Sequence, residues 1–479
     1  MLGYIFGGIG VVLAAFITVI IIRTLRFKPL SQAAPDTTTV DFDKERATEA
    51  LRELIRCKTV SYYTREEEDE AEFNKLKALL PRLYHELFGV CDYKELPDRA
   101  ILIRWAGKKQ DSPIVLMSHY DVVPVSLDMW QRPPFGAELV DGVIWGRGTL
   151  DTKVTFNASL SAACELIKSS FVPENDVYFA FSGGEEVNGR GAVNIVDYFE
   201  KEGITPALVL DEGGAVVENV FPGVRGQVGL IGIAEKGMID LKYTVKSRGG
   251  HASAPPRHTP VGELSMACCR VENHPFHARM TKPVKEMFDT LGRNSSFLFR
   301  MIFANLWCFG WILNVISRNG GDINALLKTT VAFTQMEGSA TANVIPPEAS
   351  MLSNMRLNPA DTVESAIERI RKTVKNDRVE LTAVRSTNPS RISATDSEGY
   401  RRVALAVAST WQGAIVSPYL MTQCSDSRHW GRISDKVYRF SAMDLTKEER
   451  STIHGHDERI RVDCAMRAVE FYIRLIKQC

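Results

Sequence analysis

The stretch DVYFAFSGGEEVNGRGA, residues 176–192, decides the fold. Its first seven residues, rich in aromatic and apolar side chains, predict a buried strand. Two glycines follow, then the adjacent carboxylates Glu185 and Glu186. Such a pair at the mouth of a sheet repels itself unless something positive lies between its members. Similar units stand on either side: ILIRWAG (101–107), PIVLMSHYDVV (113–123) and PALVLDEGG (206–214) predict strands, and a helical stretch surrounds Phe156–Lys168. Strands alternating with helices imply a mostly parallel sheet with helices on both faces. Ligands of such sheets bind beyond the C-terminal ends of the strands.

Histidines and carboxylates collect at those ends. In SHYDVVP, His119 ends a predicted strand and Asp121 lies two residues on, on the same face at a period of two. A metal-bound histidine usually donates its other ring N–H to a carboxylate, a role open to Asp121. In GRGTLDTK, Gly146 and Gly148 permit close backbone approach, and Asp151 precedes a helix, where alone it would read as a cap. LDEGG ends a strand with Asp211, Glu212 beside it. IHGHDERI brings His454 and Glu458 near the C-terminus, with His456 between them.

Taken singly, each motif is weak; together they form a nitrogen and oxygen donor set suited to divalent metal. The donors outnumber what one zinc ion with an open position needs. Two ions sharing a bridging carboxylate, about 3.5–4 Å apart, are therefore expected. One glutamate of the 185/186 pair would bind metal and the other move a proton. A serine nucleophile is not indicated, because no G-x-S-x-G occurs in the chain.

The 479 residues allow two or three domains. Lys+Arg and Asp+Glu are 58 each, so no electrostatic footprint for nucleic acid is present. Nine scattered cysteines without CxxC spacing suit a reduced compartment rather than a disulfide framework. Leu2–Ile22 carries no charge, and Arg23, Arg26 and Lys28 follow at once. Roughly 20 apolar residues span a bilayer, so 1–28 is expected to be a retained single-pass anchor, with the body on the cytoplasmic side by the positive-inside rule. Residues 29–40 form a polar linker. Catalytic segments 41–235 and 385–479 flank a smaller β-α-β-β-α-β domain at 236–384, the lid, with an apolar helical insert at about 274–330. Within it, FLFRMIFANLWCFGWILNVI (297–316) is apolar enough to raise a second membrane span, which Arg300, Asn305 and Asn314 make costly; it reads as a buried or partner-facing helix, with a lipid-facing or acyl-binding surface as the alternative.

SHYDVVP, GRGTLDTK, GGEE, LDEGG, GGHAS and H-G-x-x-E, in this order, resemble the dizinc metallopeptidase family of carboxypeptidase S, glutamate carboxypeptidase and aminoacylase. The likeness runs from about residue 45 to the end, and is greatest to the branch of carboxypeptidase S and N-fatty-acyl-amino-acid synthase/hydrolase, which shares the insert and an SDSRH-like segment. It implies two Zn2+ ions bridged by Asp151, one also held by Glu186 and His454, the other by His119 and Asp211. It further implies Glu185 as general base, Asp121 orienting His119, and His251 reaching substrate, often across a homodimer formed through the smaller domain. Asn343 in ANVIPP and Arg356 in NMRL resemble the binders of the substrate carboxylate, which a guanidinium grips through two bonds. The implied activity is amide hydrolysis on small peptides or N-acyl amino acids. The last motif reads H-G-H-D-E where relatives usually have Asn before Glu, which makes His456 a rival ligand; His454 is preferred because its spacing of four to Glu458 fits the family motif. Cys424, before Ser425–Asp426, departs from the small residue usual there.

Overall fold

The computed structural model describes all of the chain except Met1, Ala33 and Val220. Met1 of the expected anchor and Ala33 of the expected linker thus lie outside the described residues. An eight-stranded sheet forms the larger body. Across it lie Asp92–Leu96, Ala100–Trp105, Asn175–Ser182, Lys109–His119, Leu208–Glu218, Val437–Asp444, Gln227–Glu235 and Ile415–Met421. The middle strands 175–182, 109–119, 208–218 and 437–444 run parallel, as does the edge pair 227–235 and 415–421. The other pairings are antiparallel, giving a mixed sheet around a parallel centre.

Every residue of 175–182 is buried, as a strand covered on both faces requires. Helices Lys44–Ile55, Lys153–Lys168 and Val462–Ile476 share one apolar core with one face of the sheet, where Phe156, Phe179, Phe181 and Phe471 are fully buried. Helix Gly191–Glu202 packs Ile195, Val196 and Phe199 on the other face. Strand 208–218 bends at Gly213–Gly214, where its register against 437–444 shifts. A Cβ on Gly214 would stand 1.8 Å from the Leu230 carbonyl oxygen, so only glycine fits this crossing.

The chain passes from Glu235 into a second sheet through a single residue, Lys236. Gly237–Lys246, Thr330–Glu337, Glu348–Leu357 and Glu380–Thr387 pair antiparallel in the order 330–337, 348–357, 237–246, 380–387. Helices Pro260–Asn273 and Val363–Val374 cover one face, burying Leu264, Ala267, Ala366 and Ile370 against Ile239, Leu241, Tyr243 and Val245. Thr362 opens the second helix with a capping box completed by Ser365.

The apolar stretch 297–316 is not one helix. It breaks at Asn305 into Phe297–Ala304 and Leu306–Ile316, bent by 107°, and only Phe303, Ala304 and Leu313 of these two helices are buried. The N-terminal helix Leu2–Arg26 is long and apolar enough to cross a membrane.

Candidate metal centre

Four loops converge at one end of the parallel strands. His119 ends 109–119, Asp151 lies just before Thr152, the N-cap of helix 153–168, and Glu185–Val187 forms a short turn after 175–182. His454 follows the short helix Lys447–Ser451 with φ of 58°, in the left-handed region. Asp151 lies between the two histidines. Its Oδ1 is 2.9 Å from His119 Nε2 and its Oδ2 is 3.0 Å from His454 Nε2. Glu186 Oε2 is 3.1 Å from His454 Nε2, and Glu212 Oε1 is 3.3 Å from His119 Nε2. Two donor sets therefore share Asp151: His119, Asp151 and Glu212, and Asp151, Glu186 and His454.

The expected place of Asp211 in this cluster is corrected by the structure. Successive strand residues point to opposite faces, and Glu212 is the one that meets His119. The Asp211 carboxylate turns away and accepts the Ser427 backbone N–H at 2.9 Å. Together with Glu235, which accepts the Ser425 N–H at 2.7 Å, it holds the SDSRH turn under the site.

Buried carboxylates outside the cluster hold its loops. The Asp121 oxygens accept the backbone N–H groups of Glu185 (3.1 Å) and Glu186 (3.2 Å), fixing both glutamates from behind. His119 Nδ1 is nearer the Asp121 carbonyl (3.0 Å) than its carboxylate (3.4 Å), so the backbone is the closer partner for ring orientation. Glu458, fully buried, accepts from Arg147 Nη1 (2.7 Å) and from the N–H groups of Gly148, Leu150 and Asp151. It thereby ties the Asp151 loop to the His454 segment, a role that the motif spacing does not reveal. His456 makes no part of either donor set.

The electrostatics suit a cation. Burial pushes the Glu186 and Glu212 carboxyls up to about 7, with Asp151 adding to the repulsion at each while the histidines oppose it. Burial also drives Glu185 well above the carboxylate range; His119 opposes this, and Asp426, Glu212 and Glu186 reinforce it. Burial acts on Asp151 in the same sense, but its hydrogen bonds to His119 and His454 outweigh this and keep it ionised. Glu186 Oε1 is buried without a hydrogen-bond partner. Two imidazole nitrogens, three carboxylates and an orphaned carboxylate oxygen match what a divalent ion takes.

Glu185, Glu186, Asp151, Glu212 and His454 line a cavity of about 500 Å3. Val217, Leu230, Tyr419, Met421, Met443 and Leu445 form much of its remaining wall, and Cys424 is also on it. Arg356, on the smaller sheet, donates from Nη1 to Cys424 Sγ at 3.6 Å and has no carboxylate partner among the described residues. His251 and Asn343 come together on a two-stranded ribbon, where Ala252 N–H donates to the Asn343 carbonyl at 2.9 Å. Both are exposed, and neither lines this cavity.

A sequence model of peptidase family M20/M25/M40 matches residues 115–478. The chain is 32% identical over 480 residues to probable carboxypeptidase S-like 2 of Dictyostelium discoideum, covering 97% of this chain and 92% of that protein. It is 34% identical over 447 residues to the N-fatty-acyl-amino acid synthase/hydrolase of Xenopus tropicalis, covering 92% and 87%. Among solved structures, the M20 family metallo-carboxypeptidase Sso-CP2 of Sulfolobus solfataricus superposes with a TM-score of 0.67 at 18% identity, over 90% of this chain and 98% of that one. Human carnosine dipeptidase 1 gives 0.63 at 14% identity, over 91% and 96%. The match to the family model over most of the chain and the near full-length relatives agree with the donor sets around Asp151: the chain belongs to peptidase family M20/M25/M40 and is a metal-dependent hydrolase.

Proposed function

We propose that the chain is a membrane-anchored two-zinc hydrolase that cleaves the amide bond joining a C-terminal amino acid to an acyl group, with N-fatty-acyl amino acids as the preferred substrate class. One observation carries this reading: the cavity is lined both by the shared Asp151 cluster and by the apolar side chains of Val217, Leu230, Tyr419, Met421, Met443 and Leu445. A dipeptide offers little to those apolar side chains, whereas an alkyl chain gains about 25 cal/mol per Å2 of apolar surface buried against them. The relatives named for N-fatty-acyl-amino acid synthesis and hydrolysis support the same class. The anchor reading is supported by the uncharged run Leu2–Ile22 and the basic residues after it.

His119, Asp151 and Glu212 would hold one ion, and Asp151, Glu186 and His454 the other. Metal held by these residues would supply Lewis-acid chemistry, making a water more acidic and the scissile carbonyl more electrophilic. Glu185 takes a proton from the attacking water and returns it to the leaving nitrogen. Its burial, which raises its proton affinity, suits it to hold that proton between the two steps. Arg356 pairs with the free carboxylate of the substrate. His251 and Asn343, exposed on their ribbon, would reach substrate on lid closure or in the cavity of a second copy of the chain.

The reading is tested by assaying the full-length enzyme against dipeptides and N-acyl amino acids of increasing chain length. A rise of kcat/KM with acyl length is expected; a preference for dipeptides would overturn it. Arg356→Ala should lower kcat/KM for an acid substrate by about ten- to 150-fold, the equivalent of a charge-assisted bond worth roughly 1.5–3 kcal/mol. The matching C-terminal amide should lose little. Equal losses for acid and amide, with a lowered Tm, would make Arg356 a structural residue only.

The exchange of Asp211 for Glu212 has its own test. Glu212→Ala should lose about one equivalent of metal, whereas Asp211→Asn should keep both and lower the Tm through the loosened SDSRH turn. The opposite pattern in metal analysis would return Asp211 to the donor set.

A further inference from the structure

Large apolar side chains point outward from the bent helix pair. Trp307 is 58% and Trp311 63% exposed, and Val315 and Ile316 are each nearly half exposed. Trp307, Trp311 and Val315 recur at intervals of four, so they form one stripe along helix 306–316. Its inner side buries Leu313 in an apolar cluster with Phe221, Phe288 and Phe303. A contiguous apolar face rimmed by polar residues marks an interaction surface.

What covers the stripe is indicated by the helix beside it. The hinge between the two short helices is pinned to the C-terminal end of the N-terminal helix. Asn305 is fully buried, and its Nδ2 donates to the Ile20 carbonyl and to Thr24 Oγ1, both at 3.3 Å. Arg23 donates from Nε and Nη2 to the Ala304 carbonyl at 3.3 and 3.2 Å. Phe16 meets Trp307 edge to face, with ring centroids 5.6 Å apart. Phe16 lies seven residues before Arg23, which at 1.5 Å per residue is about 10 Å deeper into the apolar run. If Arg23, Arg26 and Lys28 mark the headgroup level, Trp307 sits about 10 Å below it. Interfacial helices bury their apolar face roughly 5–10 Å, and tryptophan concentrates in that zone.

Length excludes a span by either short helix alone. Helix 306–316 has 11 residues, about 16 Å long, against a hydrocarbon core of about 30 Å. The 107° bend at Asn305 prevents the two helices from acting as one rod.

We propose that Leu306–Ile316 is an interfacial helix seated in the same leaflet as the C-terminal end of the N-terminal helix, so that the catalytic body is docked on the bilayer rather than tethered above it. This rests on reading Leu2–Arg26 as a retained anchor. The cluster around Phe303 and Leu313 also packs Leu230 and Tyr419, and both line the cavity of the metal centre. One apolar body thus joins the bilayer-facing helix to the cavity wall, and the substrate class it favours is an acyl amino acid already partitioned into the leaflet.

The test uses tryptophan emission of the full-length chain reconstituted in phosphatidylcholine vesicles, with and without bromine on the acyl chains. The N-terminal helix contains no tryptophan, and Trp105, Trp411 and Trp430 are buried in the body. Trp307 and Trp311 are two of the chain's seven, so brominated lipid should remove up to about two-sevenths of the emission. The loss should vanish in Trp307→Phe/Trp311→Phe. Retention after alkaline carbonate extraction reports the anchor separately. A chain that stays with the vesicles but emits equally in both lipids overturns the docked helix alone, as does quenching that survives the double substitution. Cross-linking through this face to a second copy, without quenching, assigns the stripe to a dimer and also overturns it. Release by carbonate overturns the anchor reading and this proposal with it.

Discussion

Glu185→Gln is expected to lower kcat by about a hundred- to ten-thousandfold, the range of a lost general acid–base, while metal content stays at the wild-type level. The glutamine amide keeps the shape of the side chain and the backbone N–H bond to Asp121 at 3.1 Å. It cannot take a proton from water. Glu185 lines the cavity but belongs to neither donor set around Asp151. Its neighbour Glu186 differs on that point, since its Oε2 faces His454 at 3.1 Å. Glu186→Gln should therefore lose metal and activity together. Metal analysis beside single-turnover rates separates the two. Normal metal with activity within tenfold of wild type would remove Glu185 from the base role, and a lost metal equivalent in Glu185→Gln would make it a ligand.

Much of this arrangement is legible in the sequence because the parallel strands are buried on both faces and end abruptly in charged loops. DVYFAFS, PIVLM and PALVL are nearly unbroken apolar runs, and residues of the cluster lie within a few positions of their ends: Glu186, His119 and Glu212. Parity is harder to read. In LDEGG both acids follow an apolar run, and which one faces His119 depends on the pleat and on the bend at Gly213–Gly214, forced by the approach of the Leu230 carbonyl. Asp211 and Glu212 are interchangeable to any pattern of hydrophobicity, but not to the pleat. Strands 415–421 and 437–444 carry weaker signals. The first contains Pro418, which is tolerated because that strand is the sheet edge. The break at Asn305 has no proline or glycine to announce it. Besides the Met301 carbonyl at 2.9 Å, its side chain donates to Ile20 and Thr24, some 280 positions away, and only the tertiary structure brings those contacts together. Glu458 is similar: its four donors lie in the Asp151 loop, more than 300 positions earlier.

Asp151→Ala should empty both metal positions together and lower kcat/KM by about a thousandfold or more, since loss of several kcal/mol of metal-supplied stabilisation amounts to about three decades. The expectation follows from the two oxygens of one carboxylate, Oδ1 at 2.9 Å from His119 and Oδ2 at 3.0 Å from His454. Among the described residues, no other belongs to both donor sets. The loop itself should survive, because it is held through backbone: the N–H groups of Gly148, Leu150 and Asp151 bond to Glu458, and an alanine at 151 keeps its N–H. Removing one anion also lessens the repulsion at Glu186 and Glu212, where Asp151 raises the proton affinity of each. That relief offsets part of what is lost with the bonds to His119 and His454, and the main defect should appear in the response to added zinc. A ligand at a hundredfold excess over its Kd stabilises by about 2.7 kcal/mol, which in the wild type gives a rise in Tm on titration. In Asp151→Ala that rise should disappear. Calorimetry across a zinc titration, with metal analysis of the same samples, reads both quantities. One retained equivalent with a partial Tm shift would place Asp151 in a single site and leave the second ion to be held without a shared carboxylate.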